Sequence, residues 1–174
     1  MRAYQVIACA LLLAISTGRA IAAEPVIGGP PQGKVIEFGI IKSLGSIDQS
    51  AAPETLSGTQ NIAHGPKFGQ HTTRIPAKPG ISFGFWFLLT GITEKGSVEL
   101  KKVVRHPQMK NSRGQDEDHY TTTGTGPVTN GSVFAGAAYT LDSPEELKPG
   151  QWTFEIYYHG KKLVSQSFTV YAAK

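Results

Sequence analysis

PGQWTFEIYYHGKKLVSQSFTV, residues 149–170, decides the fold class. Trp152, Phe154, Ile156 and Tyr158 fall on every second position, and Val164, Phe168 and Val170 make a second stripe after Gly160. A period of two belongs to a strand, and two such runs about a glycine make an antiparallel hairpin. Residues directly opposite one another in that hairpin share a face. A two-residue loop at Gly160-Lys161 would set Trp152 against Thr169 and Ile156 against Ser165, turning the two stripes apart. One further residue reverses the register, so that Trp152 meets Phe168 or Val170. The sequence therefore predicts an odd-length or bulged loop around His159 to Lys162.

Upstream segments repeat the pattern. In Ile81 to Thr90, Phe83, Phe85, Phe87 and Leu89 alternate with Gly84, Trp86 and Leu88, so both faces are expected to be covered, with Trp86 packing beneath a loop. Ser97 to Arg105 sets Val98, Leu100, Lys102 and Val104 on the inner row of a half-solvated strand. Ser132 to Leu141 places Val133, Ala135, Ala137, Tyr139 and Leu141 on one face. Lys34 to Lys42 puts Ile36, Phe38 and Ile40 together, with Ile41 behind them. Gln70 to Ile75 reads as a short edge strand ending at Pro76, Tyr120 to Thr123 as a short strand, and Asp142 to Leu147 as one helical turn led by Pro144. Ser43 to Lys67 shows no sustained period and reads as irregular, and His106-Pro107 closes its strand before a polar loop running to His119.

Seven to nine strands result, with no ten-residue amphipathic helix between them to build a parallel sheet. The fold class is all-β, an antiparallel immunoglobulin-like β-sandwich, with a small β-barrel as the alternative. Its expected core is Phe38, Phe83, Phe85, Phe87, Trp152, Phe154, Ile156 and Phe168.

The 174-residue chain opens with Arg2, an apolar run from Val6 to Ile15, and Ala20-Ile21-Ala22, the small-x-small pattern of a leader cleavage site. The domain reading is a signal peptide at 1–22, an extended segment at 23–33 and a single β-sandwich domain at 34–174. Removing the leader takes away Arg2 and Arg19 and lowers the formal charge from +4 to +2. Cys9, the one cysteine, goes with it, so the domain has no thiolate for a disulfide, a nucleophile or a metal. Nothing after the leader approaches the roughly 18 apolar residues of a membrane helix. Periplasm or secretion is the expected localisation.

Lys34 to Lys42, Ile75-Pro76 to Phe85, and Pro149-Gly150-Gln151-Trp152-Thr153-Phe154 through Phe168-Thr169-Val170 resemble a bacterial family of exported single-domain proteins, the domain of unknown function 3859 type. The resemblance implies a small periplasmic or secreted β domain and transfers no functional residue, because its motifs are patterned hydrophobics and turns.

Candidate chemistry is sparse. His106, Asp116, Asp118 and His119 include residue types that bind zinc or calcium, although no H-E-x-x-H or EF-hand order joins them. No G-x-S-x-G elbow is present. Paired acids for hydrolysis would have to come from Glu37, Glu99, Glu155 or Glu145-Glu146. Lys101-Lys102 and Lys161-Lys162 are too dispersed for a nucleic-acid surface. The leading functional expectation is a non-enzymatic protein-interaction or accessory module in the bacterial envelope, without a cofactor. Tyr120, Tyr157, His159 and Tyr171 are its candidate binding surface. The alternatives are a carbohydrate-binding module and a metal-dependent or acid/base hydrolase.

Overall fold

The structure is a computed structural model that describes residues 29–51, 59–111 and 113–173. The leader at 1–22 and most of the extended segment at 23–33 lie outside the described residues.

Eleven strands are formed among the described residues: β1 (Gln32–Ser43), β2 (Ser46–Ala51), β3 (Thr59–His64), β4 (Lys67–Gln70), β5 (Arg74–Ala77), β6 (Ile81–Thr90), β7 (Ser97–Lys110), β8 (Asp116–Pro127), β9 (Ser132–Leu141), β10 (Gly150–Tyr158) and β11 (Lys161–Ala172). One sheet runs β4-β1-β6-β9, a second runs β5-β11-β10-β7-β8, and β2-β3 make a separate ribbon. The two sheets pack as a sandwich; they are not one closed barrel. All pairings are antiparallel except that of β5 with β11.

The core sits where alternation placed it. Phe83, Phe85, Phe87, Trp152, Phe154 and Phe168 are each at most 2% exposed, and Ile156 is 3% exposed. Burying each such side chain contributes roughly 1.5–3 kcal/mol. Phe83 meets Trp152, Phe154 and Phe168 edge to face at 5.9, 5.9 and 5.1 Å, the arrangement that aromatic quadrupoles favour. Phe38 is only partly buried and packs on the rim of this cluster.

The last hairpin takes the expected register, with Trp152 opposite Phe168 and Ile156 opposite Val164. The extra residue is accommodated differently from a longer loop. His159 and Gly160 both take positive φ, 47° and 76°, and close a two-residue turn. The register shift comes next to it, between Ile156 and Tyr157, where Leu163 is the unpaired residue.

Three expectations are revised. The stretch Ser43 to Lys67 is not irregular throughout, because β2 and β3 pair from Ser46↔His64 to Ala51↔Thr59. The edge strand foreseen at Gln70 to Ile75 is two strands, β4 on the first sheet and β5 on the second, and the chain crosses between sheets from 71 to 73. The polar loop after Pro107 is the outer end of a β7–β8 hairpin. Pro107 falls between the pairs Arg105↔His119 and Met109↔Glu117, where the ladder is interrupted and no donor is missed. Asn111 closes that hairpin, its Oδ1 accepting the backbone N–H of Arg113 and of Gln115 at 2.9 Å each. The two packed sheets hold nine strands, within the seven to nine expected of the sandwich, and the β2-β3 ribbon adds two more. The predicted helical turn is present as a short 3-10 turn, Pro144–Leu147. Glu146 anchors it, accepting hydrogen bonds from the Tyr139 hydroxyl and from the backbone N–H of Asp142 and Ser143.

Candidate interaction site

The outer face of the β4-β1-β6-β9 sheet is built by register. Leu88 lies between Lys34 and Phe134, Trp86 between Glu37 and Gly136, and Gly84 between Gly39 and Ala138. On β1 the pairing shifts between Val35 and Glu37, so Ile36 is an extra residue bulged beside Trp86. That bulge explains why Ile36 leaves the row of Phe38 and Ile40 and stands 47% exposed. Phe134 is 54% exposed, and its ring stacks on Trp86 at 5.1 Å with 25° between planes. Gly136 makes room for the indole, since a Cβ there would stand 2.8 Å from the Trp86 ring. Ile36, Trp86, Leu88 and Phe134 thus form one apolar strip across three strands. At its border the Glu37 carboxylate meets His71 Nε2 at 2.9 Å.

Trp86 was expected beneath a loop, yet it is half-buried on an outer face with Phe134 as its cover. The sequence signal was present: Trp86 occupies the row opposite Phe83, and Phe134 the row opposite Val133. What alternation lacks is any statement of which face a second layer covers.

The candidate binding aromatics do not converge. Tyr120 is only 5% exposed and belongs to the core, where burial raises its phenol pKa. Tyr157 is half-buried on the outer face of the second sheet, under Lys101 Nζ at 4.9 Å from the ring centroid. Tyr171 lies on that sheet beneath Arg74 at 5.1 Å, toward the opposite end of the hairpin and roughly 25 Å away by strand rise. His159 stands in the turn, its Nε2 2.7 Å from Glu94 Oε1. Glu94 also accepts from the Tyr158 hydroxyl. The His159 hydrogen bond, then that from Tyr158, holds the Glu94 carboxyl down to about 2. Tyr157, Tyr158, His159, Glu94, Glu99 and Lys101 line a shallow cleft, in which Glu94 is a fixed acceptor rather than a proton donor near neutrality.

The four metal candidates are not assembled either. Asp116 pairs with Lys110 Nζ at 3.2 Å, and Asp118 with His119 Nδ1 at 2.6 Å. His106 is buried 5.2 Å from the Trp152 ring, its Nδ1 within 2.9 Å of the Pro107 carbonyl. Burial lowers its pKa. Asp116, Asp118 and His119 line one open pocket with Glu117, but there the two acids are already engaged by Lys110 and His119. Among the described residues, no group of three or more His, Cys, Asp and Glu is placed to hold a metal ion.

Of the acids considered for hydrolysis, Glu37, Glu146 and Glu155 are far apart and each is engaged by its own partners. Glu155 lies buried on the outer face of the second sheet, with Lys162 Nζ at 2.7 Å, the Tyr157 hydroxyl at 3.1 Å and Arg105 Nε at 3.4 Å. The Lys162 hydrogen bond is the main cause that lowers its pKa. Glu146 is spent on the 3-10 turn, and Glu37 faces out from the other sheet.

The model of the family described as domain of unknown function (DUF3859) matches residues 31–170. The chain belongs to the DUF3859 family. The DUF3859 fold is similar to the crystal structure of an immunoglobulin-like protein from Pseudomonas aeruginosa, with 25% sequence identity and a TM-score of 0.54, covering 83% of this chain and 94% of that one. A Pseudomonas fluorescens alkylpurine DNA glycosylase, AlkC, bound to DNA containing an abasic site analog, aligns at 14% identity and a TM-score of 0.39. It covers 57% of this chain and 28% of that one, and the likeness carries no argument. No curated protein matches the sequence. No helix among the described residues is long and apolar enough to cross a membrane.

Proposed function

We propose that this DUF3859 domain is an exported, non-enzymatic interaction module that holds another protein of the bacterial envelope, in the periplasm or after secretion, on the outer face of the β4-β1-β6-β9 sheet. The observation that carries this reading is the strip Ile36–Trp86–Leu88–Phe134, because solvent-exposed aromatic and aliphatic side chains gathered in one patch mark docking surfaces. The leader motif at 1–22 supports export. A glycan platform needs aromatic rings lying side by side on a rim, whereas Trp86 and Phe134 stack on each other, and Tyr157 and Tyr171 sit apart.

A photo-crosslinking amino acid at position 36, expressed in the native host, tests the reading. One adduct of reproducible mass is expected in the envelope fraction, lost when the probe is moved to Gln151 on the opposite outer face. Equal labelling from both positions, or none from position 36, would overturn it.

A further inference from the structure

Four strands end the two sheets, and they are protected unequally. β4 and β5 have four residues each, and β5 carries Arg74 and Pro76. β8 begins with Asp116, Glu117 and Asp118 and ends at Pro127. Short length, charge and proline are the usual defences of an open edge. β9 has none of them: ten residues, SVFAGAAYTL, without a charged residue or proline.

Among the described residues no strand pairs with its outer edge. Ser132 exchanges backbone hydrogen bonds with Thr129 at 3.0 and 2.8 Å across the Asn130-Gly131 turn, on the side away from β6. β8 then departs into the other sheet. Alternation turns the N–H and C=O groups of Phe134, Gly136 and Ala138 toward that same side. Gly136 is exposed like Phe134.

We propose that β9 pairs antiparallel with β9 of a second copy of this chain, joining two four-stranded sheets into one of eight strands. With the twofold axis at Gly136, Phe134 of each copy lies opposite Ala138 of the other on the outer face. The large residue meets the small one twice, and the two glycines meet at the axis. This self-matching order of large, glycine and small residues, with no like charges to oppose, is what favours a second copy over an unrelated strand. The pairing rests on reading this sheet as the interaction surface, and it leaves Ile36, two strands from the edge, free for another partner.

Sedimentation equilibrium on the purified protein should give about twice the monomer mass, and Phe134→Lys should weaken association by about 30-fold or more. Ala138→Lys, opposite it, should do the same, whereas Ile36→Lys should leave association unchanged. Amide exchange supplies the independent readout: the N–H groups of Phe134, Gly136 and Ala138 should slow as protein concentration rises. A monomer at every concentration, or a dimer in which those three amides exchange as freely as in dilute solution, would overturn the proposal. Monomeric behaviour combined with a specific adduct from position 36 would overturn the second copy alone and leave the interaction module standing.

Discussion

The two outer faces of the sandwich treat exposed side chains in opposite ways. On the β5-β11-β10-β7-β8 sheet each aromatic lies beneath a cation, Lys101 over Tyr157 and Arg74 over Tyr171. The buried Glu155 carboxylate there is shared between Lys162 and Arg105, and Thr153 meets Ser167 at 2.8 Å. Its polar chemistry is closed on itself. On the β4-β1-β6-β9 sheet Trp86 and Phe134 stack on each other, and among the described residues no cation lies over either ring. Exposure alone thus says little; the two faces differ in whether an exposed ring is capped by a cation or by another ring.

The largest way to break this contrast is Gly84→Val on the apolar face. A Cβ at Gly84 would stand 2.3 Å from the Ala137 carbonyl oxygen and 2.7 Å from Ala138 Cα. Backbone has no room to yield, so a loss of about 3 kcal/mol is expected in denaturant unfolding. Glu155→Gln breaks the polar face and should cost about 1–3 kcal/mol at neutral pH, by leaving Lys162 and Arg105 without their carboxylate. The sign in pH follows from the lowered Glu155 pKa. Its contribution is fully present above the ordinary value of 4.5 and is lost as pH falls through the lower folded value. The gap between wild type and Glu155→Gln should therefore close on acidification below about 4.5. Smallest is Ile36→Ser, within about 0.5 kcal/mol of wild type in thermal unfolding, although the adduct from a probe at the neighbouring Trp86 should fall. A large destabilisation there would make the strip part of the core and erase the contrast.

Most of the fold was legible because period-two patterns state their inner rows directly. The Phe83, Phe85, Phe87 row and the Trp152 stripe needed no further information, and hairpin parity fixed the Trp152–Phe168 register. Even Lys102 keeps its place on the inner row with Val98, Leu100 and Val104, at the cost of burial that pushes its amine down to about 8. Illegible were features that break the period: the bulge at Ile36, the left-handed turn at His159, and the sheet-to-sheet crossing between Gln70 and Arg74. The site was least legible for the same reason. Tyr120 is a candidate only as an aromatic and obeys alternation into the interior, while in sequence Ile36 and Phe134 are ordinary strand residues. Their exposure follows from a bulge and from having no layer above them among the described residues.

The parallel pair β5–β11 brings Arg74 beside Thr169 and Ile75 beside Val170, uniting segments from the first half of the chain with its last strand. During synthesis, β5 has no neighbour on its sheet until β11 has emerged. Closing so long a loop is entropically slow, so the second sheet is completed only after β11 is available, later than the first, which needs nothing beyond β9.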